Sequence, residues 1–263
     1  SVVALVEDEQ TSQLFSAKIV PKMYIEKKNL MDSIQKEIKV MSKIDHPNIV
    51  KLYKNFELKN RFDESYIIMI LEYCSNGDLL TFITNHGFKD ESQKKKIFSG
   101  FLKAINYLHG QNISHGDIKP ENILLDQNMN PKISDFGYCR TALTCGDEEK
   151  RGTLHFAAPE LFVRGEFDTL KSDIWAIGIT IYCLSENNFP FKRGNDFFVI
   201  NQIKSGKLCL CEKISPSLKK LVQKCTDLRP MNRPTIEEII NDEYFSSKDY
   251  NTDSLKQNNI DIN

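Results

Sequence analysis

Ten consecutive residues, His115-Gly116-Asp117-Ile118-Lys119-Pro120-Glu121-Asn122-Ile123-Leu124, carry a carboxylate, an ammonium and a carboxamide at spacings of two and three. A second run, Ser134-Asp135-Phe136-Gly137, adds another carboxylate soon after. These groups in this order are what phosphoryl transfer requires. One Asp takes the proton of an attacking hydroxyl, and a Lys offsets charge on the moving phosphate. An Asn and a second Asp hold the magnesium ions that bridge nucleotide phosphates. A strand, a loop and a second strand would bring all four groups to one edge of a cleft. The competing reading of either run alone is a polar turn ahead of a hairpin. The two in order, with partners elsewhere in the chain, make that reading negligible.

The first run resembles the catalytic loop of eukaryotic protein kinases, and Asp135-Phe136-Gly137 resembles the metal-binding motif that follows it in that family. The resemblance implies Asp117, Lys119 and Asn122 as catalytic residues, and Asn122 and Asp135 as Mg²⁺ ligands. The substrate and cofactor it implies are ATP and Mg²⁺. One position departs from the family pattern, since Gly116 stands where Arg usually precedes the catalytic Asp.

The elements that must position these groups are legible in part. Residues 1–20 read as two strands around a polar Glu7–Ser12 turn. By resemblance Val2 is the roof of an adenine pocket, and Lys18 holds the α- and β-phosphates. The family's glycine-rich phosphate loop is expected just before Ser1, with the first strand and that loop outside this chain. Residues 29–44 read as a helix, because Met31, Ile34, Ile38 and Met41 recur at three and four. Glu37 lies on it, 19 residues after Lys18, the spacing of the ion pair that aims the strand Lys. As bare residues, Lys18 and Glu37 could each be a solvated surface charge. Residues 49–56 and 65–74 read as strands joined by a Glu57–Glu64 turn. The second ends in a hinge where resemblance makes Leu71 the back of the adenine pocket. There the backbone of Glu72 and Cys74 meets the adenine edge, and Asp78 faces the ribose or a basic substrate residue. Leu124 is the floor of the same pocket.

Residues 79–84 suit a short helix. Residues 91–110 suit a long one, with Ile97, Phe101, Ile105 and Leu108 inward and Lys94–Lys96 on a solvated face. The irregular stretch from Asp135 closes in Gly152-Thr153-Leu154-His155-Phe156-Ala157-Ala158-Pro159-Glu160. It resembles a kinase activation segment. The resemblance makes Thr153 a partner of Asp117 and Lys119, as in Ser/Thr kinases, and pairs Glu160 with Arg233. The mostly apolar helix at 170–185 is expected to be buried, with Asp173 bonded to the catalytic-loop backbone and Phe189-Pro190-Phe191 breaking it. An internal column of Met41, Leu52, His115 and Phe136, anchored at Asp173, is expected. Thr235 and Glu238 have the spacing of a capping box.

The chain has 263 residues, 40% hydrophobic and 27% charged, with a net charge of −1. That is enough for a substantial core in one domain or two lobes. The charge balance gives no argument for nucleic acid or an anionic membrane as partner. No apolar run approaches the ~20 residues of a membrane span, and the opening residues do not read as a secretory signal. The 7 Cys are scattered, and Cys209-x-Cys211 lacks the second pair of a zinc site. Free thiols and a cytoplasmic setting follow. Cys139, two residues past Gly137, is read as packing, with redox or covalent-ligand chemistry as the alternative.

The expectation is an α+β, two-lobed protein kinase fold over 1–245. It comprises a small β-rich N-lobe (1–73) that lacks its first strand, a hinge (74–78) and a larger, mainly helical C-lobe (79–245). A polar, disordered tail (246–263) follows. The expected activity is transfer of the ATP γ-phosphate to Ser or Thr of protein substrates. A pseudokinase or scaffold on the same fold is the alternative. A small-molecule kinase should lack the Ala-Pro-Glu close and the Glu160–Arg233 pair. The general look resembles the calcium/calmodulin- and AMP-regulated kinases. Asp78 and Glu121 imply one upstream Arg in the substrate, with Cys183 where another acidic determinant can sit, and a monomer is expected. Gly116 removes the Arg that a phosphorylated activation loop would neutralise. A Glu149–Arg140 pair is expected to order the loop instead, with Thr141 or Thr144 as the alternative switch.

Overall fold

The computed structural model describes residues 1–28, 30–141, 143–145, 152–163, 165–212 and 214–246. The expected pair Glu149–Arg140, the side chains of Thr141 and Thr144, and the tail beyond 246 lie outside what is described.

The N-terminal lobe is a four-stranded antiparallel sheet. Strand β1 (Val2–Glu7) forms a hairpin with β2 (Leu14–Pro21), the helices α1 (Lys22–Lys27) and α2 (Met31–Met41) follow, and β3 (Leu52–Lys59) and β4 (Ser65–Glu72) complete it. The order across the sheet is β1-β2-β4-β3. Val20, Ile25 and Ile67 bury a small core against Leu30, Met31, Ile34 and Ile38, so the apolar stripe of α2 faces the sheet. Strand β3 runs on to Lys59, so the turn expected at 57–64 is shorter. Its Asn60 carboxamide accepts the backbone N–H of Phe62 and Glu64 at 2.9 and 3.0 Å. Helix α1 was not anticipated.

The rest is mainly helical. Helices α3 (Leu79–His86) and α4 (Glu91–Gly110) lead to the short strands β5 (Ile113–Ser114), β6 (Ile123–Leu125) and β7 (Pro131–Ile133). Next come β8 (Arg140–Thr141), β9 (Leu143–Cys145), β10 (Glu166–Asp168) and α5 (Thr169–Glu186). Among the described residues four more helices follow, namely α6 (Asp196–Ser205), α7 (Pro216–Cys225), α8 (Ile236–Ile240) and α9 (Glu243–Ser246). Hairpin β6–β7 carries the end of the catalytic loop, β5 pairs with β8, and β9 pairs with β10.

Helix α5 is the centre of this lobe. Fourteen residues between Thr169 and Leu184 are buried, among them Trp175 and Tyr182. Asp168 caps its start through Leu170 N–H, and Asn187 ends it in the left-handed region at φ 50°, before the Phe189-Pro190-Phe191 break expected from sequence. Ile97, Phe101, Ile105 and Leu108 of α4 are fully buried as expected. Lys94 is not on a solvated face. Its side chain is 13% exposed and its ammonium lies 5.9 and 6.0 Å from the Phe88 and Phe98 rings. Its alkyl stem covers apolar surface, as long cationic side chains do, and burial pulls its pKa down. Helices α6 and α7 were not anticipated.

Candidate active site

Strand β5 delivers the chain to the catalytic loop, and β6 takes it away. Between them Asp173 of α5 fixes the backbone. Its carboxylate accepts the N–H of His115 at 2.8 Å and of Gly116 at 2.9 Å, and it meets His109 Nε2 at 2.9 Å. Gly116 sits at φ +81°, and a Cβ there would come within 2.5 Å of the Tyr138 carbonyl oxygen. Left-handed backbone penalises side chains, so glycine lets the catalytic loop and the segment after Asp135 pack backbone to backbone.

Within the loop Asp117 is buried and fully engaged. Its carboxylate accepts the Thr153 N–H at 2.7 Å and the Asn122 amide at 3.0 Å, and lies 3.0 Å from Lys119 Nζ. Lys119 also donates to the Thr153 hydroxyl at 2.6 Å. Burial pushes the Asp117 pKa up. The Thr153 amide and the Lys119 ammonium outweigh it and hold the carboxyl below its usual range. Asp117 is therefore ionised at neutral pH. The Asn122 nitrogen donates to both the carbonyl and the carboxylate of Asp117, which leaves its amide oxygen for a cation.

Asp135 follows hairpin β6–β7 at φ +59°, uncommon for a non-glycine residue. Its side chain is 44% exposed, and Lys18 Nζ is 3.4 Å from it. The same ammonium is 2.6 Å from Glu37, which is 2% exposed. So β2, α2 and the loop after β7 converge on one lysine. Burial lowers the Lys18 pKa, but the two carboxylates overcome this and raise it. Burial raises the Glu37 carboxyl against the pull of Lys18. The Asn122 amide oxygen and the Asp135 carboxylate are hard oxygen donors. They suit Mg²⁺, which takes one or two carboxylates and completes its shell with phosphate oxygens and water. Among the described residues no group of three or more His, Cys, Asp or Glu offers a protein-only metal cage.

The hinge is stitched to the hairpin below it. Asn76 N–H donates to Leu125 O at 3.1 Å, and Leu125 N–H donates to Gly77 O at 2.8 Å. This sets Leu124 opposite Asp78. Leu71 is half-buried and paired across the sheet with Ser16, while Lys18 pairs with Met69 two residues away on the same face. The Glu72 carboxylate turns to Lys132 at 2.5 Å, leaving its backbone at the strand end, and Cys74 is buried with its thiol pKa pushed up to about 12. Cys139 is likewise buried, its thiol raised to about 11, which fits packing rather than reactivity.

One expectation needs correction. Val2 pairs with Ile19, whereas Val3 pairs with Lys18. Cross-strand partners share a face, so Val3, 65% exposed, lies on the lysine's side and Val2 on the other. Asp78 has a structural role as well. Its carboxylate caps α3, accepting the Thr81 N–H and hydroxyl, each at 2.8 Å.

The supporting contacts sit around this centre. The His115 and Phe136 rings meet edge to face, with centroids 5.2 Å apart. Met41 and Phe136 share one core cluster, with Leu52 packed against it. Glu160 takes both nitrogens of Arg233 at 2.6 and 2.8 Å. Thr235 and Glu238 form the capping box. A bond the sequence did not signal joins Ser33 of α2 to Gly137 O at 3.0 Å.

Comparison with known proteins agrees with this geometry. The family described as "Protein kinase domain" matches residues 1–245. The chain is similar to 3-phosphoinositide-dependent protein kinase B of Dictyostelium discoideum, 35% identical over 252 residues, covering 93% of this chain and 27% of that protein. CBL-interacting serine/threonine-protein kinase 3 of Arabidopsis thaliana is 32% identical over 252 residues, covering 94% and 56%. Human 3-phosphoinositide-dependent protein kinase 1 is 35% identical over 246 residues, covering 91% and 43%. The chain thus spans from about a quarter to just over half of the length of these relatives. With the paired lysine and a family match over nearly its whole length, the chain belongs to the protein kinase domain family.

Proposed function

We propose that the protein transfers the γ-phosphate of Mg-ATP to Ser or Thr hydroxyls of protein substrates. The observation that carries this reading is one ammonium, Lys18, held between Glu37 and Asp135 at 2.6 and 3.4 Å. In this reading Lys18, aimed by Glu37, positions the α- and β-phosphates. Asp117 orients the substrate hydroxyl and takes its proton, and Lys119 offsets charge on the transferring group. Asn122 and Asp135 hold Mg²⁺, which when bound neutralises charge on the phosphate oxygens. The adenine lies between Val3 above and Leu124 below, with Leu71 behind and the backbone of Glu72 and Cys74 along its edge. Catalysis of this kind is positioning and electrostatics.

The substrate preference we propose is one upstream Arg. A pocket beside the catalytic loop is lined by Leu80, Ile83, Glu121, Cys183 and Phe189, and Glu121 Oε2 is buried there without a partner. One carboxylate in a mainly apolar pocket, with Asn187 and Asn188 also among its lining residues, suits a guanidinium on an alkyl stem. A cytoplasmic setting belongs to the same reading, supported by the free thiols of the described cysteines.

The test is a thermal shift with ATP, with and without Mg²⁺, beside Asp135→Asn. A Mg²⁺-dependent shift lost in the variant supports the reading. A shift without subsequent phosphorylation of Ser peptides favours a pseudokinase, and no shift at all overturns nucleotide binding by this chain.

A further inference from the structure

Helix α2 presents two polar side chains toward the site, four residues apart and so on one face. Glu37 is the partner of Lys18. Ser33 donates its hydroxyl to Gly137 O at 3.0 Å, across 104 positions of sequence. A helical serine ordinarily returns its hydroxyl to a carbonyl of its own helix. Ser33 sends it to the turn that presents Asp135.

That turn needs restraint. Asp135 holds a left-handed backbone at φ +59°, a conformation that persists only where the surroundings over-determine it. From one side Phe136 is fully buried against His115. From within, Cys139 N–H closes on Phe136 O at 3.1 Å. On the α2 side the contact is Ser33. Gly137 also sits between the two carboxylates of the site. A Cβ on it would lie 3.4 Å from Asp135 Oδ1 and 4.0 Å from Glu37 Oε2. Fixing the Gly137 carbonyl to the helix therefore fixes the separation of Asp135 from the Lys18–Glu37 pair.

We infer that Ser33 is a positioning residue, the second point at which α2 grips the site, and that its hydroxyl sets the metal-binding carboxylate relative to the phosphate-holding lysine. This rests on the kinase reading above for what Asp135 binds, but the bond and its effect on the turn do not. Ala is a better helix former than Ser, which offsets part of the hydrogen bond lost, so the unliganded Tm of Ser33→Ala should move by no more than a few degrees. What it loses is one hydrogen bond to the turn.

The experiment compares the wild-type protein, Ser33→Ala and Ser33→Thr by two measurements. The first is the Mg²⁺ concentration for half-maximal binding of a non-hydrolysable ATP analogue. Loss of one hydrogen bond raises that midpoint about five-fold in Ser33→Ala, with the unliganded Tm within a few degrees of wild type, and Ser33→Thr restores it to within about two-fold. The second is amide hydrogen exchange over residues 135–141 without ligand, which quickens in Ser33→Ala and not in Ser33→Thr. An unchanged midpoint with unchanged exchange overturns the proposal. So does a change that follows a fall in Tm of more than about 5 °C and that Thr does not repair. If the wild-type protein shows no Mg²⁺-dependent binding, the kinase reading fails, and the exchange measurement alone decides the role of Ser33.

Discussion

Replacing Glu160 by Gln should unfold the protein far more readily than a surface substitution would. Arg233 is wholly buried, its side chain 0% exposed against 12% for Glu160. The guanidinium spends its donors on both Glu160 oxygens, on Lys171 O at 2.8 Å and on Asp227 O at 2.9 Å. It also lies 5.2 Å from the centre of the Trp175 ring. Glu160→Gln keeps the shape but leaves an uncompensated cation in that setting and turns an amide donor toward it. Breaking a buried pair from one side costs about 3–5 kcal/mol. At about 2–4 °C per kcal/mol for a domain of this size, Tm should fall by about 6–20 °C. A double replacement of Glu160 and Arg233 by Met should recover only part of this, because apolar groups remove the unpaired charge but orphan the polar groups that the pair served. Recovery should stop short by about 1 kcal/mol for each group left without its partner, namely the Ser172 hydroxyl, 2.8 Å from Glu160, and the carbonyls of Lys171 and Asp227. Thermal denaturation of the three proteins is the assay. A Glu160→Gln loss under about 1 kcal/mol, the range of an exposed pair, would refute the reasoning.

Three more expectations concern the site. Lys18→Met should cut kcat by about 10²–10³ and leave Glu37 buried alone. Its native carboxyl pKa is then raised further above the ordinary 4.5, so the native state holds more protons than the unfolded one. Stability of this variant should therefore fall as pH rises through that raised value, and adding Glu37→Gln should abolish the trend in pH-dependent melting. Gly116→Ala should cost about 2 kcal/mol or more, from left-handed strain plus the 2.5 Å approach to Tyr138 O, read by denaturant unfolding. Phosphatase treatment should leave activity unchanged, because Gly116 offers no guanidinium for an activation-loop phosphate, and a large loss would point to Thr141 or Thr144.

Much of the centre was legible through the family resemblance, which short and regular spacings carry. Asp117, Lys119 and Asn122 sit within one loop, and Lys18 and Glu37 are linked by a fixed strand-to-helix interval. The long helices 91–110 and 170–185 showed in their apolar patterns. What escaped depends on finer geometry. Val2 and Val3 are both apolar, and a one-residue shift in a strand exchanges its two faces, so only the register with Lys18 separates them. Asp78 reads as a site carboxylate, and its cap on α3 shows only once the helix start is seen. Helix α7 did carry a signal, with Ser215 and Pro216 at its start and Leu218, Leu221, Val222 and Cys225 buried at three and four. Ser33 had none, since its partner is a carbonyl 104 positions away and every residue has a carbonyl.

The most direct measurement is transfer of labelled γ-phosphate from Mg-ATP to a Ser peptide with one upstream Arg, by the wild-type protein and by Asp117→Asn. The account predicts transfer by the wild-type protein and a loss of about 10²–10⁴ in the variant, with Mg²⁺-dependent nucleotide binding kept in both. Equal transfer by the two proteins, or none by the wild-type protein despite nucleotide binding, would contradict it.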